Sequence, residues 1–134
     1  KRFDDPLSDA ESLVLNNNRV MEVGKQVNSY DKICGQYVGL MKFQGPAIEI
    51  IKNHYLQKKS EAKNGKNPMN DSLPFEKSYL TDFLNSMINE NIEINAVSID
   101  NGWLELDTIS DYKLYNELYE KDKLSTLIEL DDCK

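Results

Sequence analysis

Asn101-Gly102-Trp103-Leu104-Glu105-Leu106-Asp107-Thr108-Ile109-Ser110-Asp111 is the stretch on which the fold turns. Asn-Gly is a strong hairpin-turn signal. The residues after it alternate in polarity, and Thr108 with Asp111 has the S/T-x-x-D/E spacing of a capping box. Side chains on a strand alternate faces, so Trp103, Glu105 and Asp107 are expected on one side and Leu104 and Leu106 on the core side. An indole with two carboxylates is the raw material of a cation or metal site. The plainer alternative is a half-exposed edge strand with a solvated acidic face, because alternation alone marks only a half-buried strand.

Downstream, the capping box opens a helix over Asp111 to Glu120 with Tyr112, Tyr115, Leu118 and Tyr119 as packing residues. The tail from Leu130 to Lys134 is expected to fray. Upstream, Ile92 to Ile99 reads as a strand. Before it, Ser78 to Asn89 reads as a helix with Tyr79, Leu80, Phe83, Leu84, Met87 and Ile88 on one face. Ser60 to Pro74, polar and rich in Asn and Lys, is the expected mobile loop (residues 60–74). Gly45-Pro46 starts a helix, with Pro where its missing N–H costs nothing. Ala47, Ile48, Ile51 and Tyr55 recur there at helical spacing, and Lys58 and Lys59 suit its C-terminal end. Ile33 to Phe43 is the strongest strand pattern, and Gly35 and Gly39 inside it mark a bulge, a close approach or a tight packing spot. Ser12–Leu15 and Arg19–Val23 around Asn16-Asn17-Asn18 read as a hairpin. Alternating strand and helix patterns predict an α/β chain with a short mixed sheet and about three helices.

The 134 residues suit one domain or part of one, residues 1–134 together, with enough chain for a real core. A net charge of −7 disfavours a groove for phosphate backbones, so no nucleic-acid partner is expected. A nucleotide ligand remains compatible, because one divalent cation can override the local field. No apolar run approaches the ~20 residues of a membrane span, so no membrane partner is expected. The start, Lys1-Arg2-Phe3-Asp4-Asp5-Pro6, has no apolar signal-peptide core. Cys34 and Cys133 are too few and too distant for a disulfide framework, and Cys34 reads as a small buried hydrophobe within its strand. A cytoplasmic location is the simplest expectation. The charged opening without an initiator Met suggests a piece of something longer.

The single histidine, His54, sits on a Lys-flanked helix without a Cys or acidic partner at ligand spacing. It is expected to be an exposed helix residue, which sets aside Ser-His-Asp catalysis, Cys-His catalysis and zinc. Neither GxxxxGK[ST] nor GxGxxG occurs, so the chain has no phosphate-cradling loop of its own. Carboxylates remain. Asp107 follows a strand pattern just before a capped helix, where ligands bind in α/β sheets. Mg²⁺ takes one or two carboxylates plus phosphate oxygens. Asp4, Asp5, Asp9 and Glu11 form a second acidic cluster, or a solvated turn leading into a strand.

Taken together, Asn101-Gly102-Trp103-Leu104-Glu105-Leu106-Asp107-Thr108-x-x-Asp111 resembles the closing motif of the sugar-phosphate and choline-phosphate nucleotidyltransferases. Asp5-Pro6-Leu7-Ser8-Asp9-Ala10-Glu11 resembles that family's mid-chain acidic stretch, and Gly35-Gln36-Tyr37-Val38-Gly39-Leu40 its glycine-containing strand. Tyr79-Leu80-Thr81-Asp82-Phe83-Leu84 resembles the helix before its last strands. The resemblance runs over nearly the whole chain, with four motifs in register. It implies the C-terminal portion of a nucleotide-diphospho-sugar transferase-like, Rossmann-like fold. The implied enzyme joins an NTP to a phosphorylated alcohol or sugar and releases pyrophosphate. Mg²⁺ is then held by Asp107 and an Asp of an N-terminal half, while Trp103, Glu105, Asp9 and Glu11 serve the acceptor. Thr108 and Asp111 are its structural cap. For a choline acceptor the pairing of Trp103 and Glu105 has a direct rationale, since an indole face and a carboxylate both attract quaternary ammonium.

The family's glycine-rich nucleotide loop, basic residue and first metal Asp have no counterpart here, so the chain resembles the acceptor-side half and is expected to be inactive alone. Such a half exposes edges, which makes a homodimer an expectation. The competing class is a non-catalytic interaction module that kept the fold. A strand, a Gly-rich loop and a Lys or Arg just upstream in the parent gene would separate the two.

Overall fold

The computed structural model describes residue 7, residues 10–100 and residues 102–128. Asp4, Asp5, Asp9, Asn101, Cys133 and the tail from Leu130 lie outside the described residues. The rest divides into two compact units at the Ala96–Val97 boundary.

The first unit is organised by an antiparallel hairpin, β1 (Glu11–Asn16) and β2 (Arg19–Gln26). Two residues turn the chain, and Asn17 takes φ 52°, a left-handed conformation that Asn tolerates better than most residues. Asn16 pairs with Arg19 and Leu13 with Val23, with register shifts between Glu11 and Leu13 and between Val14 and Leu15. The sheet is thus two-stranded and antiparallel rather than mixed, flanked by isolated bridges, a parallel one from Leu13 to Ile33 and an antiparallel one from Arg19 to Asn95. With three helices, α1 (Pro46–Ala62), α2 (Leu80–Asn89) and α3 (Ile109–Glu120), the chain is α/β.

The outer edge of β2 is covered rather than left open. The Val20 N–H donates to the Ile94 carbonyl (2.8 Å), and the Ala96 N–H donates to the Asn18 carbonyl (2.7 Å). At Val23 a side chain from α2 takes over. The Val23 N–H donates to Asn85 Oδ1 (3.2 Å), and Asn85 Nδ2 donates to the carbonyls of Val23 (2.6 Å) and Thr81 (2.8 Å). One amide thus does the work of a strand partner and fastens α2 to the sheet. The helix lies so close that a Cβ added to Gly24 would sit 2.3 Å from Thr81 Cγ2. Val20, Val23 and Leu84 form the core, with Leu13, Leu15, Tyr37, Ile88, Ile94 and Ala96 packed around them. The Tyr37 hydroxyl is buried there without a hydrogen-bond partner among the described residues, and burial pushes its phenol pKa up.

Several elements differ from the sequence expectation, for one recurring reason. Residues 33–43 form no strand beyond the bridge at Ile33, residues 92–99 only the bridge at Asn95, and residues 102–107 none. Strand patterns become strands only where another strand satisfies their backbone groups. Cys34 is accordingly exposed rather than a buried hydrophobe. Of the face expected for α2, Leu84 and Met87 are buried while Tyr79 and Leu80 are exposed. The segment read as a mobile loop begins inside α1, which runs to Ala62. Its buried Asn67 donates to the Leu73 carbonyl (3.0 Å) and to Ser78 Oγ (2.8 Å), and Asn70 Nδ2 donates to both Asp82 carboxylate oxygens.

Candidate functional site

The second unit carries the residues singled out by the opening motif. Gly102 has φ +78°, the left-handed region that favours glycine. Trp103, Leu104 and Glu105 follow, each half-buried. Leu106 is 63% exposed and Asp107 is exposed, so the expected division into a leucine core side and an outer carboxylate side does not hold. Without a strand over these residues, no pleat sorts them.

From Thr108 onward the geometry tightens. Thr108 is the N-cap of α3, with extended backbone at φ −128° and ψ 160°. The Asp111 N–H donates to Thr108 Oγ1 (3.1 Å), and the Thr108 hydroxyl donates back to Asp111 Oδ2 (2.9 Å). The same Oδ2 accepts the main-chain N–H of Thr108 (2.8 Å) and that of Asp107 (3.1 Å). Asp111 is therefore 2% exposed yet satisfied, a buried carboxylate in the first turn, where the helix dipole favours negative charge. Asp107 stands just ahead of this knot and is exposed. Among the described residues no three His, Cys, Asp or Glu side chains cluster as a metal cage. What Asp107 and Glu105 offer suits Mg²⁺ in kind, one or two hard oxygen donors with the rest of the shell left to phosphate and water. Glu11 belongs to the first unit, exposed at the start of β1 opposite Gln26.

A second polar cluster escaped the sequence reading. His54 is 4% exposed, not a surface residue. Its Nε2 lies 2.8 Å from Ser86 Oγ and its Nδ1 3.3 Å from Glu90 Oε2, with Phe83 against the ring. Lys58 bridges Glu90 and Glu61 beside it. Burial holds the His54 imidazole below its ordinary pKa, against the pull of the Glu90 carboxylate. Contact with Glu90 holds the Lys58 ammonium above its usual range. Ser, His and Glu in this order invite comparison with a nucleophilic triad, but the proton count argues otherwise. The Ser86 hydroxyl donates its one proton to the Phe83 carbonyl (2.7 Å), leaving Nε2 to donate to Ser86 rather than to activate it. The cluster ties α1 to the end of α2. A signal for it existed in the sequence: His54 and Lys58, and Ser86 and Glu90, are each spaced i,i+4 and so present two facing pairs.

The capped acidic turn at Asp107 to Asp111, led by the indole of Trp103, is the stretch on which the chain resembles the nucleotidyltransferases. Comparison with known proteins bears out that resemblance. Over 118 residues, 87% of its length, the chain is 37% identical to a CTP:phosphoglutamine cytidylyltransferase of Campylobacter jejuni. It spans 44% of that relative, less than half. No protein-family model matches the chain, and no solved structure matches it significantly.

Proposed function

We propose that this chain is the acceptor-side half of a cytidylyltransferase that transfers CMP from CTP to a small phosphorylated acceptor. The observation that carries the reading is the span of the similarity. Only about 13% of the 134 residues fall outside it, too few to leave Trp103 to Asp111 unmatched wherever the match begins. In the reaction, an oxygen of the acceptor phosphate attacks the α-phosphorus of CTP. The bond to the β-phosphate oxygen breaks, and pyrophosphate leaves. Asp107 would hold Mg²⁺, which when bound offsets the charge of the phosphates. Trp103 and Glu105 would orient the acceptor's organic group. Phosphoglutamine, phosphocholine and sugar 1-phosphates are the acceptors to compare, and a CTP-dependent reaction fits the cytoplasm.

The test is pyrophosphate release by the full-length parent with CTP, each acceptor and titrated Mg²⁺. Asp107→Asn should nearly abolish turnover with little change in stability, because an exposed carboxylate contributes little to a fold. Near wild-type activity and Mg²⁺ dependence in that variant would remove Asp107 from the metal site. With a quaternary ammonium acceptor, Trp103→Ala should raise the acceptor KM several-fold before that of CTP. A cation–π contact is worth ~0.5–1 kcal/mol when exposed and about 2 when desolvated. Equal effects on both substrates would make Trp103 purely structural. One observation favours a second reading, an interaction module without chemistry: Val97, Ile99, Leu106 and Ile109 are all exposed apolar residues of the second unit. A parent that releases no pyrophosphate with any acceptor would support it.

A further inference from the structure

We infer that Asp111 is a positioning residue for Asp107, beyond its service as a helix cap. The inference rests on the reading of Asp107 as a metal-facing carboxylate. A capping box needs the N3 carboxylate to accept the N-cap N–H alone. Here Oδ2 accepts that bond from Thr108 at 2.8 Å and also the N–H of Asp107 at 3.1 Å, one residue further out. The extra bond fixes the peptide plane on which the exposed Asp107 side chain is mounted. It is charge-assisted and shielded, since Asp111 is 2% exposed, and such bonds are about twice as strong as neutral ones. Thr108 Oγ1 orients the anchor by donating to the same oxygen (2.9 Å). Held from behind in this way, the main chain at Asp107 keeps the side chain's point of attachment in one place, the preorganisation that a metal ligand needs and a solvated surface Asp does not.

The test uses the isotopically labelled 134-residue chain, with amide hydrogen exchange and chemical shifts read at Asp107 and along α3. Asp111→Ala should speed exchange of the Asp107 amide by about tenfold or more, the loss expected for a hydrogen bond to a charged acceptor. Asp111→Asn, which keeps a neutral acceptor of the same shape, should fall between it and wild type. Thr108→Ala removes the cap hydroxyl but leaves the Asp107 N–H bond, so it should loosen the first turn of α3 with a smaller effect at Asp107. An Asp107 amide unmoved by both Asp111 variants overturns the inference. So does Thr108→Ala matching Asp111→Ala at Asp107, for then Asp111 only caps the helix. Mn²⁺ added to the wild-type chain should broaden the Asp107 signal selectively, and Asp111→Ala should weaken that selectivity. Broadening confined to other residues overturns the metal reading of Asp107, while the exchange results still decide whether Asp111 anchors it.

Discussion

Up to Ala96, the buried side chains include Val20, Val23, Leu84 and Met87, and the polar groups buried with them, Ser12, Asn67 and Ser86, are hydrogen-bonded. From Val97 onward the one buried residue among those described is a carboxylate, Asp111, while Val97 is 90% exposed and Ile109 75%. One unit is held by apolar packing with amide and imidazole clamps. The other is a capped helix led by a half-buried indole, with little apolar area removed from water. The contrast assigns stability to the first unit.

The largest stability effect should therefore come from the closest contact of the first unit. Gly24 has φ +70°, and a Cβ there would fall 2.3 to 2.4 Å from the Thr81 side chain. Gly24→Ala adds left-handed backbone strain to a clash that only separation of α2 from β2 relieves. It should cost about 2–4 kcal/mol, read as a lower urea midpoint with an unchanged slope. The Asn85 bonds to Val23 would break with it, so the Val23 amide should lose its exchange protection. A loss under about 0.5 kcal/mol would show that the α2–β2 seam does not carry the unit.

The same contrast explains what could be read from sequence. The hairpin was legible because both strands and the turn lie within sixteen residues, from Glu11 to Gln26, and pair with each other. The helices were legible because their hydrogen bonds are internal, although α1 ran three residues past its expected end, to Ala62. Ile33 to Phe43 and Trp103 to Asp107 have strand composition but need distant partners, and periodicity carries no information about whether a partner is at hand. Leu40, 78% exposed, is the visible cost of that missing pairing. At the candidate site, the Thr108–Asp111 spacing announced its hydrogen bonds in advance, since a capping box is local. The i,i+4 pairs His54/Lys58 and Ser86/Glu90 signalled facing helix sides but not their meeting, and the strand-like use of Asn85 left no local mark, because each depends on a residue more than thirty positions away, Ser86 for His54 and Val23 for Asn85.

A smaller effect should appear on mild acidification, again confined to the first unit. Burial holds the folded His54 pKa below the ~6.5 of an unfolded chain. The groups facing it are Glu90, which raises the pKa, Glu61, which does the same, and Lys58, which lowers it. With the folded value depressed, the unfolded state binds more protons between the two pKa values. The stability from neutral His54 is thus full above about 6.5 and falls as pH drops toward the folded pKa. The urea midpoint should be lower at pH 5.5 than at pH 7.5, and His54→Gln should flatten that dependence. An unchanged slope in the variant would assign the pH response to other groups.

The smallest effect should be at Leu106, which the alternating pattern places in a core and the structure leaves 63% exposed. Removing an apolar side chain costs in proportion to the area it had hidden from water. Leu106→Ser should therefore change the chain's own stability by no more than about 0.5 kcal/mol, the usual bound for surface positions. Its consequence should fall on association instead. Val97, Ile99, Leu106 and Ile109 leave apolar surface that water covers poorly, so light scattering of the wild-type chain should show a mass rising with concentration, less so in the variant. Two results would break the comparison. A destabilisation above about 1 kcal/mol would give the second unit a packed core through Leu106. Equal, purely monomeric scattering from both proteins would mean that no second copy covers this surface in solution.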